Sequence, residues 1–231
     1  MKLLIIRPQP GADATARRAR EAGFEPIVMP LFAIEPLPFP PVWPENYDAV
    51  LLTSGNAVRA AGDVLEQLSS LPFYTVGAAT ARALTNASLD PGFVGTEGVN
   101  TLLLKAQENR HPKLIWLAGE DYSEPILPAE VKLDIRFVYR SVAVPTPVNF
   151  AQAVQQADAV MLHSSRAAQY FANLCDNANV ARGDITLAIF SQNIADSAGE
   201  GWANTIVAAA PNDASLLPEL QRRFTIATRD P

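Results

Sequence analysis

The chain has 231 residues, 48% of them hydrophobic, and carries 18 Lys and Arg against 24 Asp and Glu for a net charge of -6. That balance argues against a broad nucleic-acid surface, which needs basic patches to neutralise phosphates. No apolar run approaches the roughly 20 residues that span a bilayer, and the single cysteine, Cys175, excludes an internal disulfide and any multi-cysteine metal site.

The amino end offers a strand over Lys2–Ile6, a polar turn over Arg7–Asp13, a helix to about Ala22 and a strand near Pro26–Met29. The strand's apolar run is too short for a signal-peptide core, so a cytoplasmic address is expected. Asp48 to Val58 then reads DAVLLTSGNAV, an apolar strand ending in a Ser turn. A helical stripe follows over Ala57, Val58, Ala61, Val64, Leu65 and Leu68. Next come a strand over Phe73–Val76, the turn Gly77-Ala78-Ala79-Thr80-Ala81 leading into a helix, and a third helix near Asn100-Thr101 with Thr placed to cap it. Lys113 to Arg140 repeats the series of the amino end: a strand to Leu117, a turn over Ala118–Ser123, a short helix to about Leu133, and a strand through Tyr139.

From Asp158 to Ala168 the chain reads DAVMLHSSRAA, identical to the earlier segment at six of eleven positions. The same stripe follows at Ala167, Ala168, Phe171, Leu174, Cys175 and Ala178, which makes Cys175 a buried structural thiol. A strand over Leu187–Phe190, the turn Ser191-Gln192-Asn193, and a helix near Ala214-Ser215 complete the copy, while the tail Thr225–Pro231 lacks periodicity and should fray. One copy is therefore permuted relative to the other. The economical solution is α/β: two similar parallel-sheet domains, the second inserted in the first and joined by two extended connectors. The first domain takes residues 1–34 and 146–231, the inserted one 38–142, and the Pro-rich runs 35–41 and 142–147 serve as connectors. No long exposed apolar stripe demands a partner subunit, so a monomer is expected.

Conventional catalytic constellations are missing. His111 lies in a loop, and His163 holds the turn position that Thr53 holds in the other copy, where it reads equally as a site residue or as a substitute for threonine. Neither belongs to a metal or nucleophile motif, and the turn at Gly77 lacks a dinucleotide or P-loop spacing, so no metal and no cofactor are indicated. Instead, the turns at Thr53-Ser54-Gly55-Asn56, Gly77–Thr80, Gly119–Ser123, Ser164-Ser165 and Ser191 each present backbone N–H groups and hydroxyls at a strand's carboxyl end. Ligands of open α/β sheets bind at such ends, and anions are suited to them. Ser54, Ser164 and Ser191 could each simply cap a helix. Five such turns suggest together a polyanion held in a cleft between two similar domains.

The opening Ile6-Arg7-Pro8-Gln9-Pro10-Gly11, the turn Leu52-Thr53-Ser54, the run Val76-Gly77-Ala78-Ala79-Thr80-Ala81, Gly119, the pair Val138-Tyr139 and the turn at Ser164 resemble, in the same order, the uroporphyrinogen-III synthase family. The resemblance covers nearly the whole chain, with a departure at Gln192-Asn193. It implies a cofactor-free enzyme that cyclises a small linear tetrapyrrole polycarboxylate, hydroxymethylbilane, to uroporphyrinogen III with loss of water and inversion of the last ring. It also implies Tyr139 as the catalytic acid, and Arg7, Thr53, Ser54, Gly55, Asn56, Gly77, Thr80, Gly119, Ser164, Ser165 and Ser191 as substrate-binding residues. Tyr139 reads equally as an aromatic packed near a connector. Fold alone also describes a two-domain anion-binding sensor, or a degenerate family member kept as a regulatory module, without catalysis. A sugar-nucleotide transferase is disfavoured because no acidic metal-binding pair follows an apolar strand.

Overall fold

A computed structural model of the chain describes residues 1–96 and 98–227. Its elements in chain order are β1 (Lys2–Ile5), α1 (Gly11–Glu21), β2 (Glu25–Val28), β3 (Phe32–Pro36), β4 (Ala49–Leu52), α2 (Gly55–Ala61), α3 (Val64–Gln67), β5 (Phe73–Val76), α4 (Gly77–Asn86), β6 (Pro91–Gly95) and α5 (Val99–Glu108). They continue with β7 (Lys113–Gly119), β8 (Lys132–Ala143), α6 (Phe150–Gln156), β9 (Ala159–Leu162), α7 (Ser165–Asn177), β10 (Thr186–Ile189), α8 (Gln192–Ala198), β11 (Asn204–Val207) and α9 (Asp213–Ala227). The chain divides into one compact unit of residues 1–33 and 143–231 and a second of residues 34–142.

In the first unit five parallel strands lie in the order β11-β10-β9-β1-β2. Leu3, Leu4 and Ile5 are fully buried, as a central parallel strand covered on both faces requires. Strand alternation sends Leu3 and Ile5 toward Ala12, Ala16 and Leu216 of α1 and α9. It sends Leu4 and Ile6 toward Phe150, Phe171 and Ile194 of α6, α7 and α8. Cys175 is buried in the latter cluster, where burial pushes its thiol up to about 12 and leaves it inert.

The second unit's sheet runs β3-β8-β7-β4-β5-β6, parallel from β8 to β6. Edge strand β3 runs antiparallel to β8, with Leu37 N–H donating to Val138 O and Val144 N–H to Leu31 O. Val50, Leu52, Ile115 and Leu117 face Ala57, Val58, Leu65 and Leu84 of α2 to α4. Ala49, Leu51, Leu114 and Trp116 face Leu102, Leu103 and Ala106 of α5. Without β3, the order β6-β5-β4-β7-β8 matches β11-β10-β9-β1-β2 strand for strand, which is the internal repeat seen as topology.

The repeated Asp explains itself in this register. Asp48 accepts from Lys113 N–H at 2.8 Å and returns its own N–H to Lys113 O, pinning the start of β4 to that of β7. Asp158 does the same with Lys2, at 2.6 Å, for β9 and β1. These aspartates stand at the amino end of each sheet, and the repeated serines stand at the carboxyl end.

Several expectations fail locally. The short helix to Leu133 is absent; residues 122–128 have no regular structure, because Pro125 and Pro128 deny the helical conformation to the residues before them. The stripe from Ala57 to Leu68 is not one helix, since Gly62 takes φ 52° and ψ -132°, a conformation reserved for glycine, and splits it into α2 and α3. The turn over Arg7–Asp13 already turns helical at Gly11. Thr101 and Ser215 do not cap: Gly98 precedes α5, while Asn212 Oδ1 accepts from Ser215 N–H and Ser215 Oγ accepts from Ala210 N–H. Strand β3 runs to Pro36 and β8 to Ala143, so each strand takes the first residues of a Pro-rich run, and 37–41 and 144–147 have no regular structure. The tail stays helical to Ala227, and residues 228–231 lie outside the described residues. Among the described residues, no helix is long and apolar enough to cross a membrane and no cluster of His, Cys, Asp or Glu could hold a metal ion.

Candidate functional site

In an open parallel sheet the ligand position is the carboxyl edge where strand order reverses direction. In the second unit that point lies between β4 and β7. The turn after β4 carries Thr53, Ser54, Gly55 and Asn56, that after β5 carries Gly77, and β7 ends at Gly119. Ser54 caps α2, its Oγ accepting from Asn56 N–H at 3.1 Å, and Thr53 Oγ1 accepts from Trp116 Nε1–H at 3.2 Å. Both hydroxyls therefore keep their own proton free to donate. Gly77 has φ 75° with open space where a side chain would stand, so backbone conformation alone selects glycine there. Thr80, buried on α4 at 4% exposure, offers little of its hydroxyl to a ligand.

Tyr139 owes its direction to a β-bulge. Ala118 pairs with Phe137, but Gly119 pairs with Tyr139, so Val138 is the extra residue. Without the bulge Phe137 and Tyr139 would share a face. With it, Leu133 and Ile135 pack on the α5 side, whereas Val138 and Tyr139 both pack on the α2 side. The Tyr139 ring then lies over Gly119, where a Cβ would stand 2.5 Å from Cζ and 2.8 Å from Oη. Glu120 N–H donates to Tyr139 O at 3.0 Å and fixes the strand end. The phenol makes no hydrogen bond among the described residues.

Sequence reasoning missed Arg59. Its Nη2 donates to Asn56 Oδ1 at 2.5 Å, and Nη1 lies 3.4 Å from the place of a Gly55 Cβ. Desolvation lowers the guanidinium pKa from its ordinary value, and the Tyr139 phenol, close enough to act on it electrostatically, raises it. Helical periodicity could have found Arg59, since it falls one turn after Asn56 on the helix that follows the Ser turn.

In the first unit the reversal lies between β1 and β9. Arg7 follows β1, Ser164 and Ser165 follow β9, and Ser191 follows β10. Ser164 caps α7 by accepting from Ala167 N–H at 3.2 Å. Ser165 Oγ–H donates to Asn193 O at 3.2 Å, tying α7 to α8, while Ser191 precedes α8 without a side-chain cap bond. Arg7 Nη1 reaches Thr15 Oγ1 at 3.3 Å. His163 is turned inward, 8% exposed, edge-on to Phe190 and with Nε2 3.5 Å from Asp213 Oδ1. Asp213 itself is held by Arg18 and by Thr15. Burial would raise its pKa, but the His163, Arg18 and Thr15 contacts outweigh that and hold it well below the usual carboxylate range. His111 is tied into the structure: Asn109 donates to Tyr74 Oη, which shares a hydrogen bond with His111 Nδ1 at 3.0 Å.

Residues 13–218 match the family model described as uroporphyrinogen-III synthase HemD. No curated protein sequence matches the chain. Among solved structures, uroporphyrinogen-III synthetase from Helicobacter pylori is similar at 13% identity and TM-score 0.61, over 98% of this chain and 100% of that one. A mutant uroporphyrinogen III synthase from the extremely thermophilic bacterium Thermus thermophilus is similar at 16% identity and TM-score 0.55, over 100% of both chains. At these identities the likeness to solved structures speaks for the fold.

Proposed function

The chain belongs to the uroporphyrinogen-III synthase family, and on that premise we propose that the carboxyl edge around Tyr139 holds and protonates its substrate. The enzyme is a cyclising hydro-lyase that converts hydroxymethylbilane to uroporphyrinogen III with loss of water. Inversion of the last ring distinguishes this product from that of direct closure.

In the proposed mechanism Tyr139 donates its phenolic proton to the departing hydroxyl, which leaves as water and gives a cationic azafulvene. The substituted carbon of the last ring attacks that cation and forms a spiro intermediate, which fragments and recloses. A proton lost as the final ring regains aromaticity balances the one donated. The electron-rich pyrrole drives departure, so the protein's main contribution is positioning. Thr53, Ser54, Gly55, Asn56, Gly77 and Gly119 would supply hydroxyl and amide donors for the substrate's carboxylates at the second unit's carboxyl edge, and Arg7, Ser164, Ser165 and Ser191 are the donors of the first unit's own carboxyl edge.

The observation that carries the Tyr139 assignment is its bulge-set direction, with a phenol that makes no hydrogen bond among the described residues. A phenol is a donor across neutral pH. The test supplies freshly made hydroxymethylbilane to the purified protein without added cofactor, oxidises the products and separates the type I and type III isomers. An excess of type III that scales with enzyme is expected, and type I alone, as in a protein-free control, refutes the reading. Tyr139→Phe should slow turnover by roughly 10²-fold, the lower range for a general acid, with unchanged thermal unfolding. A fully active Phe variant removes Tyr139 from the mechanism.

A further inference from the structure

Arg59 is a cation at the turn that follows β4, beside Gly55 and Asn56. Arg18, Arg136, Arg140, Arg182 and Arg222 each pair with a carboxylate. Arg59 has no acidic partner among the described residues, and its hydrogen bond goes to the neutral amide of Asn56. That bond orients the guanidinium fork without neutralising it. The side chain is exposed and lies beside the Gly55 backbone, on the helix whose Ala57 and Val58 share a cluster with Tyr139.

The internal repeat sharpens the point. Aligning the two Ser turns sets Asn56 opposite Arg166 and Arg59 opposite Gln169. The second unit has thus exchanged the arginine of the first helical turn for an amide, and carries its arginine three residues later. Arg166 lies 5.3 Å from the Phe32 ring, whereas Arg59 folds back over the start of its helix, with Nη1 3.4 Å from the place of a Gly55 Cβ. The two copies present their charge differently, so the position of Arg59 is not a relic of the repeat.

We propose that Arg59, oriented by Asn56, binds a carboxylate of the linear tetrapyrrole at the carboxyl edge that carries Tyr139. The inference rests on the synthase reading. Guanidinium suits the task because it stays charged and offers paired N–H groups to a carboxylate.

The experiment compares wild type with Arg59→Gln, Arg59→Lys and Arg17→Gln, the last a change of the same charge on the exposed side of α1. Initial rates on hydroxymethylbilane are taken at low and high salt. Equilibrium binding of uroporphyrin III, a stable octacarboxylate, is read by tryptophan quenching. Arg59→Gln should raise KM and weaken uroporphyrin binding by about 10-fold or more, with kcat within about 3-fold of wild type and a shallower salt dependence. Arg59→Lys should recover part of the affinity, and Arg17→Gln should match wild type. An Arg59→Gln enzyme with wild-type KM and uroporphyrin affinity overturns the proposal, as does an equal loss in Arg17→Gln or a defect confined to kcat. If wild type forms no type III isomer the synthase reading falls, while the binding arm still decides whether Arg59 holds a polycarboxylate.

Discussion

His163 shows how one substitution between the two copies changes what a turn can do. Thr53 accepts from Trp116 and keeps its hydroxyl proton, but the larger imidazole at position 163 fills the space against Phe190 and meets Asp213 from α9. Burial lowers its pKa to about 4; Arg7 and Arg18 also oppose protonation, and Asp213 favours it without prevailing. The imidazole is therefore neutral in the folded protein at pH 7, and the unfolded chain binds a proton more readily from about pH 6.5 downward. Folding stability must then fall as pH drops from 6.5 toward 4, and this group's contribution is fully present above that window. A depression of this size is worth about 3 kcal/mol at most. Urea unfolding of His163→Gln between pH 4 and 7 should give a flatter stability profile than wild type. Parallel profiles would mean that Asp213 and other carboxylates carry the acid sensitivity. Asp213, depressed itself, adds a loss in the same direction at lower pH.

At the scale of elements, the sequence revealed what local periodicity controls. The runs at Lys2, Asp48, Phe73, Lys113, Asp158 and Leu187 all lie in or against strands, because a buried parallel strand must be apolar without interruption. Strands β6 and β11 escaped because they are edges with exposed positions, PGFVG and NTIV, and carry no such run. Helix α6 escaped because seven residues are too few for a stripe to declare itself. The turns around Thr53, Gly77 and Gly119 were legible as strand ends, but the bulge at Val138 was not. Nothing in the letters VY says that one strand has a residue more than its partner. That bulge makes the contact of Tyr139 with Gly119, and the contact can be tested. Gly119→Ala forces the ring away, since the new methyl would stand 2.5 Å from Cζ. The expected cost is roughly 1–3 kcal/mol of stability, with turnover reduced as in Tyr139→Phe. Because the cost comes from the ring, it should largely vanish when Gly119→Ala is added to Tyr139→Ala, as a double-mutant cycle by urea unfolding would show. Additive losses would place the strain in the backbone instead.

For the molecule as a whole, the permuted repeat means that one packing solution is used twice with different chain ends. Each unit has its own central strand pair, β9 with β1 and β4 with β7, started by an Asp clamp and buried on both faces. Each also has two clusters of its own, one on either face of its sheet. Such a division predicts that stability is distributed by unit rather than shared evenly, because a cavity is felt mainly by the side chains that lined it. Leu4, fully buried against Phe150 and Phe171, and Leu51, fully buried beside Tyr74 and Leu103, make a matched pair of probes. Either change to Ala should cost about 2–5 kcal/mol locally. Under native conditions, Leu4→Ala should speed hydrogen exchange at the amides of β1, β9 and β10 while those of β4, β5 and β7 keep wild-type protection. Leu51→Ala should do the reverse. If Leu4→Ala loosened both sheets equally, the two units would unfold as one cooperative body, and the permuted repeat would describe ancestry of pattern without independence of stability.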